Sequence, residues 1–211
     1  MRYYVILLAL CLGVASCTNG VTVTTLIKDF SCFKEHKYVY AIVRAYINLG
    51  QVDPNAKATL LAAEQYKLLY ADIYVNPCVS CKMKPEAQID QVVEALKGAK
   101  YSTMWLKVQL MDKWTANTTY NCEYINAMVN EAQKLGKSAG IGSEASVWEN
   151  IMGKDCQIKA DNIGCWWQKH DKEQSLDHFK PFGGFTFPTI KEFDGPSKMC
   201  AEQVNLNFCN C

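Results

Sequence analysis

Strand-like and helix-like segments alternate along this chain. Runs rich in β-branched and aromatic residues occupy 21–26, 40–46, 69–75, 103–110, 137–143, 163–170 and 186–193. Helical patterns lie between the earlier ones. Segment 56–67 is rich in Ala and Leu. Segment 85–97 opens on proline and carries Ile89, Val92, Val93 and Leu96 at helical spacing, and 120–135 does so with Ile125, Met128, Val129 and Ala132. Strand followed by helix followed by strand argues for parallel βαβ units. The strands read as near-continuous apolar runs, as expected where both faces of a sheet are covered. The last third has more strand and fewer helical signals. An α/β fold follows, either an irregular TIM-like βα barrel or an open sheet. In a barrel, chemistry gathers at the C-terminal ends of the strands.

The N-terminus carries Arg2, runs apolar from Tyr3 to Val14, and turns small and polar at Ala15-Ser16-Cys17. This is the pattern of a secretory signal, shorter than the roughly 20 apolar residues of a membrane span. Residues 1–17 are read as the signal, cut after Ser16 or after Cys17. Residues 18–211 then form one domain of a secreted, extracellular protein, expected to be monomeric and without a membrane segment. A formal charge of +1 without a clustered basic face argues against nucleic-acid binding.

Eleven cysteines are present, and Cys11 leaves with the signal. In an exported chain Cys32, Cys78, Cys81, Cys122, Cys156, Cys165, Cys200, Cys209 and Cys211, with Cys17 if retained, read as disulfide partners of open pairing. Asn117-Thr118-Thr119 is an N-glycosylation acceptor and marks a surface loop. His36, His170 and His178 lack metal-site spacing, so neither a metal nor another cofactor is expected.

Several segments share an order and spacing. They are Tyr40-Ala41-Ile42-Val43-Arg44-Ala45-Tyr46, the run Asp72-Ile73-Tyr74-Val75-Asn76-Pro77-Cys78-Val79-Ser80-Cys81, and Met104-Trp105-Leu106 with Trp114 downstream. Trp148 to Met152-Gly153 and Pro181-Phe182-Gly183-Gly184-Phe185 with Lys191 complete them. Together they resemble the lysozymes of glycoside hydrolase family 25, in the form found in nematodes and amoebae, over nearly the whole mature chain. The resemblance implies an irregular βα barrel and, in the family, muramidase activity on bacterial peptidoglycan. It also implies that Cys78-Val79-Ser80-Cys81 is structural rather than redox-active.

Where the family carries acids, this chain does not. The resemblance matches the first-strand aspartate to Thr22, the aspartate and glutamate of the fourth strand to Lys107 and Gln109, and the final aspartate to Asn205. Positions i and i+2 of a strand share a face, so 107 and 109 would enter one cleft. The family's tyrosine at the end of the fifth strand becomes Gly142. Glycoside hydrolysis needs two carboxyl groups, and loss of a general acid or base costs roughly 10²–10⁴ in rate. The expectation is an inactive relative that binds peptidoglycan or another N-acetylglucosamine-containing glycan in defence against bacteria. The alternatives are a weak muramidase using Asp72 or Glu192, and a barrel that meets a protein partner. Ligand-binding candidates are Arg44, Asp72, Tyr74, Trp166 and Asp171. Trp105, Tyr46, Trp148 and Trp167 are further aromatics near the expected mouth, with only one of Trp166 and Trp167 able to line it. Arg44 and Lys107 would bring positive charge to the mouth, able to hold a carboxylate.

Overall fold

The computed structural model describes residues 17–210. Within them lie β1 (Cys17–Val23), α1 (Ser31–Glu35), β2 (Tyr38–Ile47), β3 (Gln51–Val52), α2 (Ala56–Gln65), β4 (Tyr70–Val75), α3 (Pro85–Ala95) and β5 (Thr103–Lys107). They continue with α4 (Thr118–Lys134), β6 (Ser138–Ser143), α5 (Ala145–Met152), β7 (Gly164–Gln168), β8 (Ile190–Met199) and β9 (Glu202–Asn210). The expected signal at 1–16, with Cys11, and the terminal Cys211 lie outside the described residues.

Strands β1, β2, β4, β5, β6, β7 and β8 run parallel, each beside the next. Antiparallel β9 sits between β8 and β1 and closes an eight-stranded barrel. The two-residue β3 hooks onto the end of β2. Closure brings the C-terminal ends of the parallel strands to one mouth.

Strand periodicity builds two cores. Outward-facing Val43, Ile73, Met104, Leu106 and Ile141 pack with Leu60, Ile89, Val92, Ile125 and Met128 from the helices. Burying each such side chain is worth about 1.5–3 kcal/mol. Inward-facing Tyr40, Ile42, Tyr74, Trp105, Trp166 and Ile190 fill the barrel. The large rings fit because facing strands carry glycine. A Cβ on Gly140 would lie 2.3 Å from the Trp105 ring, and one on Gly20 would lie 2.2 Å from the Tyr40 ring.

Helix starts follow local chemistry. Pro85 opens α3, and the Asn117 side chain accepts a hydrogen bond from the Tyr120 amide at the start of α4. The expected strand at 186–193 instead begins at Ile190 and continues to Met199, and β9 has no counterpart among the expected runs.

Disulfides join Cys32 to Cys200, Cys78 to Cys81 and Cys122 to Cys156. Cys165 corrects the disulfide expectation. It is a buried thiol on β7, facing the apolar layer beneath the helices, and burial pushes its pKa far up. Cys209 Sγ contacts the Thr18 hydroxyl at 2.7 Å and the Tyr70 hydroxyl at 3.5 Å.

Candidate functional site

A buried carboxylate ties several strands together at the barrel mouth, and it is not at any of the four positions where the family resemblance places acids. β8 carries Glu192 inward, 2% exposed. β1 brings Thr22, whose hydroxyl donates to Glu192 Oε2 at 3.0 Å. β5 brings Lys107, with Nζ 3.5 Å from Glu192 Oε1. His170, just past β7, places Nε2 3.0 Å from the same oxygen. Behind Thr22, Asn207 on β9 donates Nδ2 to its Oγ1 at 2.8 Å, and Trp166 on β7 donates Nε1 to Asn207 Oδ1 at 2.9 Å. Lys107 Nζ also lies over the rings of Trp166 and Tyr74, at 4.9 and 5.3 Å from their centroids.

The charges balance within this knot. Burial alone would raise the Glu192 carboxyl. The charge of Lys107 and hydrogen bonds from His170 and Thr22 outweigh it and hold the group below its ordinary value. Hydrogen bonding to Glu192 in turn raises His170. Glu192 is therefore an anion bonded on both oxygens and paired with Lys107, poorly placed to donate a proton or attack a sugar.

The other matched positions sit at the rim. Gln109 lies beyond the end of β5, and its Nε2 reaches Asn76 Oδ1 and Asp112 Oδ1, both at 3.4 Å. The half-buried Asn205 packs on Gly195, where a Cβ would lie 2.2 Å from its Oδ1. At Gly142 a Cβ would lie 2.8 Å from the Trp166 ring, so that ring fills the space a side chain there would need.

The ligand-binding candidates separate. Tyr74 and Trp166 face the barrel interior at the Lys107 level, and burial pushes the Tyr74 hydroxyl up. Asp72 lies one inward position deeper. Its oxygens accept from the Thr103 amide at 2.9 Å and Trp105 Nε1 at 2.8 Å, and burial still raises it to about 6. At 2% exposure it is sealed beneath the aromatic layer. Arg44 Nε donates to Asp53 Oδ2 at 2.7 Å. Lys191, itself 1% exposed on its side chain, pairs with the partly exposed Asp171 at 2.8 Å and lies over the Trp167 ring.

The expected pair of open cations, Arg44 and Lys107, is corrected: each is neutralised by a buried carboxylate. Two aromatics are corrected too. Tyr46 faces outward and donates to Gln91, and Trp148 lies in α5 with Nε1 donating to Cys156 O. Trp166 faces in, whereas Trp167 packs on Phe179. Glu192, His170, Asn207 and Asp53 form bonds that sequence reading missed. The available signal was spacing, since Glu192 lies two residues after Ile190 on one strand and shares its inward face. One group of possible metal ligands gathers among the described residues, Cys32, His36 and Cys200, and its two sulfurs are joined to each other.

A family described as Lysozyme-like protein 1 matches residues 15–193. The chain belongs to the lysozyme-like proteins of glycoside hydrolase family 25. A Dictyostelium discoideum protein described as probable GH family 25 lysozyme 2 is 31% identical over 214 residues, covering 99% of each chain. Lysozyme-like protein 5 of Caenorhabditis elegans is 29% identical over 213 residues, covering 98% of each. Among solved structures, a family GH25 lysozyme from Aspergillus fumigatus superposes with a TM-score of 0.76 at 13% identity, covering 93% of this chain and 95% of that one. The bacterial lysozyme from Streptomyces coelicolor gives 0.73 at 15%, covering 93% of each. At such identity these last two speak for the fold, and that fold is the closed barrel of this family 25 protein.

Proposed function

We propose that this family 25 lysozyme-like protein is a secreted, non-catalytic binder of peptidoglycan or a related N-acetylglucosamine-containing glycan, acting in defence against bacteria. The observation that carries the reading is the Lys107–Glu192–His170 knot. A glycosidase needs one carboxyl group that can give a proton and a second carboxylate to act as base or nucleophile. At the mouth, Thr22, Lys107, Gln109 and Asn205 supply no carboxyl group, and the Glu192 carboxylate is bound on both oxygens. Lys107 also places a cation where an oxocarbenium-like transition state would need negative charge. The mature protein is taken as 18–211. β1 opens at Cys17, so cleavage after Ser16 or Cys17 leaves the barrel strands in place.

Support for the ligand comes from the relatives. A modular endolysin with the same barrel, at a TM-score of 0.55, is described in complex with a peptidoglycan analogue. The test is co-sedimentation of the purified mature protein with insoluble peptidoglycan and with chitin. Recovery in the pellet is expected, and protein left wholly in the supernatant with both refutes the reading. The weak-muramidase alternative has less support, because Asp72 is sealed and Glu192 is committed to its partners.

A further inference from the structure

Two β-turns meet on one side of the mouth, and their corners are apolar. In the turn after β5 the Asp112 amide donates to Gln109 O at 3.2 Å, which puts Leu110 and Met111 at the corners. In the turn between β2 and β3 the Gly50 amide donates to Ile47 O at 3.1 Å, which puts Asn48 and Leu49 there. Turn corners favour Gly, Pro, Asn, Asp and Ser. Asn48 follows that rule and the other three do not. Met111 is 82%, Leu49 65% and Leu110 62% exposed.

The turns are tied to each other and to a third loop. The Asn48 side chain hydrogen-bonds the Asp112 carboxyl. A Cβ on Gly50 would lie 2.7 Å from Cys81 Sγ, so the β2–β3 turn sits against the single 3₁₀ turn Val79–Cys81. Gln109 Nε2 donates to Asn76 Oδ1 at 3.4 Å, just before that turn. The third loop continues into exposed Lys82 and Lys84, and exposed Lys113 follows Asp112. Among the described residues none of these three lysines has an ion-pair partner. The acids behind them, Asp53 and Asp112, are buried, and Glu86 in the first turn of α3 is partly buried. The charge this rim shows to solvent is therefore mainly cationic.

Single exposed apolar residues need no partner, whereas apolar side chains gathered on adjoining loops mark a contact surface. Turn corners protrude and offer no groove for a peptide or helix. Protruding apolar tips beside unpaired lysines match the two layers of an anionic membrane surface, the headgroup–acyl boundary and the lipid charges. We infer that this rim docks on an anionic lipid bilayer, with Leu49, Leu110 and Met111 entering the headgroup–acyl boundary and Lys82, Lys84 and Lys113 lying against the headgroups. Attachment is peripheral, since no helix among the described residues is long and apolar enough to cross a membrane. Nothing in this surface depends on the glycan reading or on the Glu192 knot.

The test is sedimentation of the mature protein with sucrose-loaded vesicles of equal parts phosphatidylglycerol and phosphatidylethanolamine, beside vesicles of phosphatidylcholine. Recovery with the anionic vesicles is expected, with partition to phosphatidylcholine weaker by roughly tenfold or more. Raising salt from about 50 mM to about 500 mM should weaken the anionic partition by screening the lysines. Lys82→Gln, Lys84→Gln and Lys113→Gln together should weaken it roughly a hundredfold, at about fivefold for each charge. Leu49→Ser, Leu110→Ser and Met111→Ser together should weaken it by roughly tenfold or more. Protein left in the supernatant with both vesicles overturns the inference, and so does equal partition to both lipids. Partition unchanged by the serine variant reduces the contact to charge alone and also overturns it. Self-association in sedimentation velocity that the serine variant abolishes, without vesicle binding, assigns the rim to a second copy of the chain instead. The lipid and salt comparisons on the natural protein decide the matter even if a triple variant does not fold.

Discussion

Glu192→Gln probes the mouth most sharply. The substitution keeps the shape and removes the charge that balances Lys107, whose side chain is only 9% exposed. Removing one partner of a buried ion pair costs about 3–5 kcal/mol. The Tyr74 and Trp166 rings facing the ammonium recover about 1–2 kcal/mol of that. The net expectation is a loss of about 1–4 kcal/mol, or a fall in Tm of roughly 2–15 °C for a chain of this size. Lys107→Met alone should cost less, because His170 and Thr22 still bond Glu192. The double variant should be more stable than the sum of the singles by about 2 kcal/mol or more. Urea unfolding with disulfides intact, at about pH 6 where both Glu and His partners are charged, measures all three. The sign with pH follows from the two shifts. The depressed Glu192 stabilises above its unfolded value and loses that contribution as pH falls through its folded value. The raised His170 stabilises below about 6.5 and loses its contribution as pH rises through its folded value. Additivity of the two single variants within about 0.5 kcal/mol would refute the pairing.

Three further outcomes are expected. Restoring acids by Thr22→Asp, Lys107→Asp, Gln109→Glu and Asn205→Asp should fail while Glu192 remains, because the first two changes remove its cation and crowd it with carboxylates. The same set with Glu192→Gln should release reducing ends from peptidoglycan, and activity without Glu192→Gln would contradict the knot. The carbon-detected titration of Asp72 should show a midpoint near its raised value of about 6. Its burial should then cost stability as pH rises from about 3.9 toward that value, and a midpoint near 4 would be contrary. Asn117 Oδ1 caps α4 and leaves Nδ2 available, so for protein expressed in a eukaryotic cell and recovered from its medium, glycosidase treatment should lower the mass by one N-glycan, and an unchanged mass would count against it.

The barrel was legible because its parallel strands are apolar on both faces and its helices carry spaced Ile, Val and Met. β9 was not, since Val204, Leu206 and Phe208 alternate with Asn205 and Asn207, a half-polar pattern that makes sense only once Asn207 is seen turned inward to Thr22 and Trp166. The mouth was read by position but not by partner. Lys107 looked like an open cation because its counter-charge lies eighty-five residues downstream, and only barrel closure brings Glu192 to it. Tyr46 and Trp148 were placed at the mouth by proximity to strands, yet one faces the helices and the other belongs to one. The disulfide count overreached at Cys165 because a cysteine on a two-faced strand is also a good small apolar residue.

Reducing-end release from purified peptidoglycan by the natural mature protein tests the central claim most directly, measured from about pH 4 to 8 so that the Asp72 and Asp112 charge states are sampled while Glu192 stays ionised. No release above a heat-denatured control at any pH is the result expected of a barrel whose Glu192 carboxylate is held between Lys107 and His170. Catalytic release that Glu192→Gln abolishes would contradict it and make Glu192 a working acid or nucleophile.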